Sequence, residues 1–329
     1  MKPIKHRLTD DHDEWLKQRN KGIGGSDAGA VMGLNPYKSA FTLWHEKTGK
    51  INSFVPDNEA MRFGRDMEDY VAKRFCEATG KKVARSGYSY QSKYYPWMLA
   101  NIDRRVIGEN AGLECKTANI FAEKIYDEGR IPDSYYCQCL HYMEVCDFDR
   151  MYLACYIPQR GLKYFSIERE DVKEDLEALI QAEAKFWKLV ENDQRPEVDG
   201  SRDTKQTISA MMKEPIGHET DPDKAPNLTD MEDVIAKLTD VKAKIRELTG
   251  TKSDLENIIA DRFREEKADI GFTADKKISW KEQTTTSIDG DALKADHPGL
   301  YDKYAKVSTY RVLRIGKKRV PKKGKSKRV

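Results

Sequence analysis

Two short motifs near the middle of the chain contain the side chains best suited to metal-dependent chemistry. The motifs are Asn101-Ile102-Asp103 and Leu113-Glu114-Cys115-Lys116-Thr117, so that ten residues separate Asp103 from Glu114. Side chains two apart in a strand share a face, which places Glu114 and Lys116 side by side. A hairpin between the motifs would bring Asp103 close to Glu114. Two converging carboxylates repel each other unless a cation joins them, and such hard oxygen ligands suit Mg²⁺ or Mn²⁺.

This combination of residue types indicates the hydrolysis of a phosphodiester. The metal would neutralise charge, the carboxylates would hold the metal, and Lys116 would orient or deprotonate the attacking water. The alternative is an ordinary Glu–Lys pair on a half-exposed strand, because such short triplets also arise by chance. The triplet alone does not decide between the two interpretations.

Two predicted helices could each add a polar side chain to this site. Glu68 lies on or beside the apolar stripe of its helix, where an unpaired carboxylate is costly. Gln138 lies in line with two tyrosines of a later helix, where its amide could donate to a phosphate or position a water. Alone, each residue could equally be a satisfied polar group at the rim of the core. Together they form a coherent five-residue site with Asp103, Glu114 and Lys116.

The elements that must position these residues alternate between helices and short strands. Hydrophobic periodicity predicts helices at 11–19, 26–32, 39–47, 59–79, 132–146 and 171–191. It predicts strands at 83–90, 97–107 with an interruption near Asp103, 112–117, 151–157 and 162–167. Ser26 and Ser39 suit N-cap positions, and Gly80 suits the end of the longest of these helices. The order predicts a mixed α/β fold, with a central mixed sheet flanked by helices, in one domain over residues 1–195.

The rest of the chain is predicted to be organised differently. Spaced prolines in a polar stretch predict a linker at 196–227. Apolar residues recur every seven positions over residues 228–268, which predicts one long helix with a coiled-coil seam. The partner of this seam could be another chain or this chain's own domain. The repeat consists of Met231, Leu238, Ile245, Lys252 and Ile259 in one set and Val234, Val241, Leu248 and Leu255 in the other. The pattern of residues 269–315 predicts a small β-rich α+β segment with one short helix and a strand at 310–315.

Composition argues against a membrane-spanning or secreted protein. The mean hydropathy is −0.77, and no apolar run approaches the length of about 18 residues that spans a bilayer. The N-terminus lacks the apolar stretch of a secretory signal, and the six cysteines lack C-x-x-C spacing, which indicates reduced, buried thiols in a cytoplasmic protein. Residues 316–329 carry eight Lys and Arg, against 50 basic and 55 acidic residues elsewhere. This basic tail, expected to be disordered, suits either contact with a polyanion or solubility.

Several longer motifs are far more specific than the acidic triplet. They are RNKGIGGSDA at 19–28, GLNPYKS at 33–39, GRDME at 64–68, ANID at 100–103, LECKT at 113–117 and IPDSYYCQCLHYM at 131–143. In these motifs, and in the order of its elements, the chain resembles the YqaJ-like viral recombinases, the family of phage lambda exonuclease. The resemblance covers about residues 12–190. It implies the PD-(D/E)XK nuclease core, with the long helix and the small β-rich segment as C-terminal additions.

The resemblance implies roles for the candidate metal ligands. Asp103 and Glu114 would hold the catalytic metal, with the Cys115 carbonyl as a further ligand. Glu68 would bind a second metal, directly or through water. Lys116 would activate the attacking water.

The resemblance also implies how the substrate is held. Gln138 would help to place the substrate or the catalytic lysine. Arg19 and Ser26 fall on the motif that captures the 5′-terminal phosphate. A helix N-terminus at Ser26 and the guanidinium of Arg19 are both suited to an anion.

The activity implied is that of a Mg²⁺-dependent 5′-to-3′ exodeoxyribonuclease acting on double-stranded DNA ends, with Mn²⁺ expected to substitute. It would release 5′-mononucleotides and leave 3′ single strands for phage-type homologous recombination. The implied partners are a single-strand annealing protein and further copies of the chain, because the best-known family member is a ring-shaped trimer. The implied setting is the cytoplasm of a bacterial host, with a phage or prophage origin.

Two other functions remain open from the residues alone. A restriction-like or structure-specific endonuclease would use the same acidic cluster without a 5′-phosphate pocket. A non-catalytic protein that binds DNA ends and mediates recombination would keep the fold without the reaction. The intact Asp103, Glu114 and Lys116 argue against this last alternative.

Overall fold

The computed structural model describes residues 3–7, 18–51, 58–212, 226–308 and 313–315. The chain divides into two compact units, Met1–Lys213 and Glu214–Val329. The basic tail at 316–329 lies outside the described residues. So does the helix predicted at 11–19, apart from its last two residues, which are helical. In the described part of the chain, no helix is both long and apolar enough to cross a membrane.

The first unit alternates helices with short strands, as the sequence predicts. Its strands are β1 (Ile4–Arg7), β2 (Ile23–Gly24), β3 (Val83–Arg85), β4 (Tyr88–Gln91), β5 (Met98–Ala100), β6 (Arg104–Val106), β7 (Ala111–Thr117), β8 (Arg150–Ile157) and β9 (Gly161–Glu168). Its helices are α1 (Gly25–Val31), α2 (Ala40–Lys47), α3 (Glu59–Thr79), α4 (Glu123–Asp127), α5 (Asp133–Cys146), α6 (Lys173–Glu191) and α7 (Arg202–Met211).

Two mixed sheets form the framework of this unit. The larger has the strand order β3-β6-β7-β8-β9, and the smaller has the order β1-β4-β5-β2. Within the larger sheet β7 and β8 are parallel and the other neighbours are antiparallel, so the connection between β7 and β8 must cross over, and it contains α5. Helix α3 packs against β7 and β8, while α5 and α6 share a core with β8. The predicted mixed α/β fold with flanking helices is confirmed.

Local capping explains where the helices begin and end. The Asn58 side chain accepts a hydrogen bond from the Met61 amide at 2.9 Å, and Gly80 adopts φ 71°, so α3 begins and ends where the sequence predicts. Ser39 caps α2, also as predicted. Ser26 is not an N-cap, because Gly24 takes that position and its amide donates to Asp27 at 3.1 Å. Ser26 lies instead in the first turn of α1.

The predicted linker at 196–227 is wrong for residues 202–211, which form α7. This helix packs against α2 through polar contacts. Asp203 accepts hydrogen bonds from the amide and hydroxyl of Ser39 at 2.8 and 2.9 Å, and the Thr207 and Thr42 hydroxyls lie 2.7 Å apart. Hydrophobic periodicity misses such a helix because its buried face is made of threonines rather than aliphatic residues.

The second unit contains the long helix α8 (Glu232–Glu266), a hairpin of β10 (Ile270–Phe272) and β11 (Lys277–Ser279), and the helices α9 (Gly290–Asp296) and α10 (Pro298–Tyr304). Helix α8 continues through Gly250, as the unbroken heptad phase predicts. The segment after it has two short helices rather than the one predicted. Of the strand predicted at 310–315, residues 310–312 lie outside the described residues and 313–315 are not in a strand.

The cysteines are free thiols. Four of the six are buried, namely Cys137, Cys139, Cys146 and Cys155, and the other two are half-buried. The prediction of buried thiols is therefore confirmed for these four.

Candidate functional site

The hairpin of β6 and β7 brings Asp103 beside Glu114. The antiparallel register pairs Arg104 with Leu113, so the preceding Asp103 lies across from Glu114. The Asp103 carboxylate accepts a hydrogen bond from the Cys115 amide at 2.8 Å, which fixes its position at the end of the hairpin. The convergence of the two acidic side chains predicted from the spacing is thus present in the structure.

Glu114, Lys116 and Gln138 form a closed triangle of hydrogen bonds. The Gln138 amide and the Lys116 ammonium both donate to Glu114 Oε1, at 2.7 and 2.6 Å. The ammonium also donates to Gln138 Oε1 at 3.0 Å and lies 4.8 Å from the centroid of the Tyr135 ring. The contacts therefore join side chains of β7 and α5. The sequence analysis places the same side chains on a strand and a later helix.

The charges of this cluster shift the pKa values of its members. Burial, Glu114 and Glu68 together raise the pKa of Asp103 well above its usual range. Burial lowers the pKa of Lys116, but Glu114 and Asp103 more than offset this and raise it above its usual range. Lys116 donates to both Glu114 and Gln138, which places it to orient a water or a phosphate. Its predicted role in activating the attacking water stays a prediction.

Glu114 has an oxygen that the described residues leave without a partner. Its side chain is only 4% exposed, and Oε2 has no hydrogen-bond donor among the described residues. Such a buried carboxylate oxygen is costly unless a donor or a cation satisfies it. With the negative charge of Asp103 close by, the pair fits a divalent cation.

These two carboxylates would not complete the coordination of a metal. In the residues that the structure describes, no group of three or more His, Cys, Asp or Glu side chains could hold a metal ion. A cation at Asp103 and Glu114 would therefore need oxygens from the backbone, water or substrate, which Mg²⁺ commonly uses.

Glu68, which the sequence predicts to bind a second metal directly or through water, is held by Arg104, and its role at a metal stays a prediction. Its carboxylate forms an ion pair with the buried guanidinium of Arg104, which also donates to Asp69 at 2.6 Å and to the Asp103 carbonyl at 2.6 Å. The physical reason is that Arg104 follows Asp103 directly and reaches α3 from β6. Glu68 is thus neutralised by a cation of the protein itself.

Arg19 and Ser26 are brought together at a separate cavity. The Arg19 guanidinium donates to the Ser26 hydroxyl at 2.7 Å, and both line a cavity of about 360 Å³ together with Lys21 and Tyr142. Ser26 also lines a groove of about 800 Å³ whose wall includes Lys116 and Gln138. The candidate phosphate site therefore adjoins the candidate catalytic cluster.

Asp27 and Lys47 are residues of this cavity region that sequence reasoning missed. Both side chains are 2% exposed, and the Lys47 ammonium lies 2.8 Å from the Asp27 carboxylate and donates to the Arg19 carbonyl at 3.0 Å. The Arg19 guanidinium lies 3.5 Å from the other Asp27 oxygen. Asp27 thus links a buried lysine to the arginine at the cavity. The only signal in the sequence is that Asp27 interrupts a run of small residues in the most specific motif.

Close packing against Tyr142 explains the glycine that directly precedes Ser26 in that motif. A Cβ on Gly25 would lie 2.3 Å from a ring carbon of Tyr142, so only glycine lets α1 approach α5 this closely. The Tyr142 hydroxyl accepts a hydrogen bond from Gln138 at 3.0 Å. The cavity motif and the helix that carries Gln138 are therefore held in direct contact.

His141 belongs to the core rather than to the candidate site. Its two ring nitrogens lie 2.8 Å from the buried carboxylate of Glu183 and 2.9 Å from the Leu99 carbonyl. Burial lowers the pKa of His141, but Glu183 and the carbonyl more than compensate and raise it above its usual range. The contact between His141 and Glu183 ties α5 to α6.

Comparison with known proteins gives one family and several similar structures. The model of the YqaJ-like viral recombinase domain matches residues 14–149. The uncharacterized protein YqaJ of Bacillus subtilis (strain 168) is 36% identical over 312 residues, which cover 94% of each chain. The crystal structure of an alkaline exonuclease from Laribacter hongkongensis is 19% identical with a TM-score of 0.47, covering 56% of this chain and 96% of that one. A phage-related exonuclease from Haemophilus somnus 129PT is 13% identical with a TM-score of 0.40, covering 54% and 99%.

Proposed function

The chain belongs to the family of YqaJ-like viral recombinases, and we propose that it is a metal-dependent 5′-to-3′ exodeoxyribonuclease acting on double-stranded DNA ends. The observation that carries this proposal is the buried, unpartnered oxygen of Glu114 next to Asp103, in contact with Lys116 and Gln138. A site that concentrates negative charge around an unsatisfied oxygen is suited to a divalent cation and, through it, to a phosphodiester.

We propose that Asp103, Glu114 and the Cys115 carbonyl hold Mg²⁺, and that Mn²⁺ can replace it. When bound, the metal supplies charge neutralisation at the phosphate and acidifies water. Glu114 serves two purposes, since Oε1 accepts from Gln138 and Lys116 while Oε2 is left for the cation. Lys116 orients the attacking water or a phosphate oxygen by donating a hydrogen bond, and Gln138 holds the ammonium in that position.

The direction of digestion would follow from the cavity that contains Arg19 and Ser26. A terminal 5′-phosphate bound there would place the adjoining linkage in the groove beside Lys116. Each cut exposes a new 5′-phosphate, whose capture would draw the next linkage forward. The products would be 5′-mononucleotides and a 3′ single strand.

The proposed biological setting follows from these products. A 3′ single strand is the substrate that a single-strand annealing protein would pair during phage-type recombination, in the cytoplasm of a bacterial host. Assembly of the nuclease units into a homo-oligomer, with the trimer implied by the family resemblance, stays a prediction.

Replacing Arg19 by alanine should remove most of the preference for 5′-phosphate over 5′-hydroxyl ends. A charge-assisted hydrogen bond contributes about 1.5–3 kcal/mol, which corresponds to roughly ten- to 150-fold in that preference. Metal-dependent cleavage should persist, because Arg19 lines the neighbouring cavity and the groove beside Lys116 is lined by other residues. The measurement is a time course on duplexes that differ only in the 5′ end group, with each strand labelled.

The matched control for this variant is Arg202→Ala, which removes an exposed arginine at the start of α7. It should keep the full preference for the 5′-phosphate. If Arg19→Ala also kept the full preference, Arg19 would not belong to the phosphate site.

A further inference from the structure

Helix α8 has an apolar seam that the other described residues of the second unit leave uncovered. The side chains of the seam are between 45% and 68% exposed, and they are Val234, Val241, Ile245, Leu248, Leu255 and Ile259. They occupy the two apolar positions of the heptad repeat, a and d, over most of a 35-residue helix. A contiguous exposed seam of this length is typical of a surface that binds another helix.

We propose that α8 pairs with α8 of a second copy of the chain, in antiparallel orientation, with the crossing centred near Gly250. In this register Ile245 lies opposite Leu255 of the second copy, and Ile259 lies opposite Val241. The midpoint of α8 falls close to the same residue, so in this register the two helices overlap over nearly their full length.

Lys252 is the polar residue of the seam, and it favours the antiparallel orientation. In a parallel pair, residues at position a face their own copies, so two Lys252 ammonium groups would meet in the core. In the antiparallel register Lys252 lies opposite Leu248 instead. Its side chain already pairs with Glu256 on the same helix at 2.7 Å, which draws the ammonium to the edge of the seam.

The charges that flank the seam favour the same orientation. Positions e and g of the heptad flank the seam, and in an antiparallel pair e faces e and g faces g. Lys242 would therefore contact Glu256 of the second copy, and Lys237 would contact Glu265 of the second copy. Each contact occurs twice because the pair is symmetric. A parallel pair would instead place Lys237 against Lys242. Opposite charges at these positions stabilise the antiparallel pair, whereas like charges at these positions disfavour the parallel pair.

The charges also select this partner over an unrelated protein. The basic residues of the seam's flanks lie in the first half of α8 and their acidic counterparts in the second half, which makes the helix complementary to its own reversed copy. Lys242, Glu256, Lys237 and Glu265 all lie in the described helix. The proposal concerns assembly alone and does not depend on nuclease activity.

The test uses the full-length chain in sedimentation velocity over a range of protein concentrations. Leu248→Lys identifies the step that α8 mediates, because it places a charge in the seam at a side chain that is 68% exposed. We expect this variant to lose one association step that the wild type shows. If no step is lost, the proposal is overturned.

A charge swap then tests the orientation. Lys242→Glu should raise the dissociation constant of that step about tenfold, since it turns two symmetric attractions into repulsions. Lys242→Glu combined with Glu256→Lys should restore most of the wild-type value. The matched control is Arg246→Glu, a similar charge reversal outside the flanking positions, which should change little. Tighter association of Lys242→Glu would indicate a parallel pair, and failure of the double variant to recover would also overturn the antiparallel register.

Discussion

Replacing Lys116 by alanine should lower the rate of DNA cleavage by about 10²–10⁴-fold, the range seen when one positioned donor or proton-transfer group is lost. The ammonium donates to Glu114 and Gln138 and is the cation that faces the two carboxylates from the protein side. Its removal leaves the attacking water without a fixed donor. Asp103→Asn and Glu114→Gln should lower the rate at least as much, because each removes a charge that the metal requires.

The effects of these substitutions should not add. The three side chains act on one event, so Lys116→Ala combined with Glu114→Gln should be scarcely slower than the slower single variant. Single-turnover cleavage at saturating DNA measures the loss in the chemical step. Fluorescence anisotropy on the same duplex measures any weakening of DNA binding. Lys185→Ala, an exposed lysine of α6, is the control and should keep wild-type rates. Near-normal turnover by Lys116→Ala would remove this residue from the mechanism.

Replacing Asp27 by asparagine should destabilise the first unit by about 3–5 kcal/mol, because it leaves the buried ammonium of Lys47 without its carboxylate. The lost group also holds the Arg19 guanidinium in place, so the preference for 5′-phosphate should fall as well. Chemical denaturation measures the first effect, and the end-group time course measures the second. Asp66→Asn, an exposed position on α3, is the control and should stay within about 0.5 kcal/mol of wild type.

The stability provided by Asp27 should depend on pH. Burial alone would raise the pKa of this carboxyl, but Lys47 and Arg19 overcome it and hold the pKa well below the ordinary value of 3.8. A folded-state pKa below the unfolded value means that the stabilisation is complete above about pH 5 and is lost as the pH falls below 3.8. The difference between wild type and Asp27→Asn should therefore be constant near neutrality and shrink in acid. A difference that grew as the pH fell would contradict the assignment.

The parts of the fold that the sequence predicts well depend on local interactions. The bounds of α3 follow from an asparagine cap and a glycine in the left-handed region, and both signals lie within a few residues of the helix ends. The approach of Asp103 to Glu114 follows from strand alternation and one hairpin. For both features, the residues that decide the structure are neighbours in the sequence.

The parts that the sequence does not predict depend on contacts between distant residues. The pairing of Asp27 with Lys47 joins two helices, and either residue alone could have been a solvated charge. The ion pair of Glu68 with Arg104 depends on the reach of Arg104 across to α3, which no periodicity encodes. Helix α7 escapes prediction because threonine hydroxyls, rather than apolar groups, form its buried contacts.

The most direct test of the proposed function compares linear and covalently closed circular DNA of the same sequence, in Mg²⁺ and in EDTA. The linear duplex carries 5′-phosphates at both ends, and each strand has one label near its 5′ end and a different label near its 3′ end. We predict that Mg²⁺ allows mononucleotides to be released from each strand with the 5′ label lost first, that the closed circle stays intact, and that EDTA stops the reaction. Discrete fragments from the circle would indicate an endonuclease, and no digestion of the linear duplex would indicate a protein that only binds DNA ends. Either result would contradict the assignment of this chain as an exonuclease.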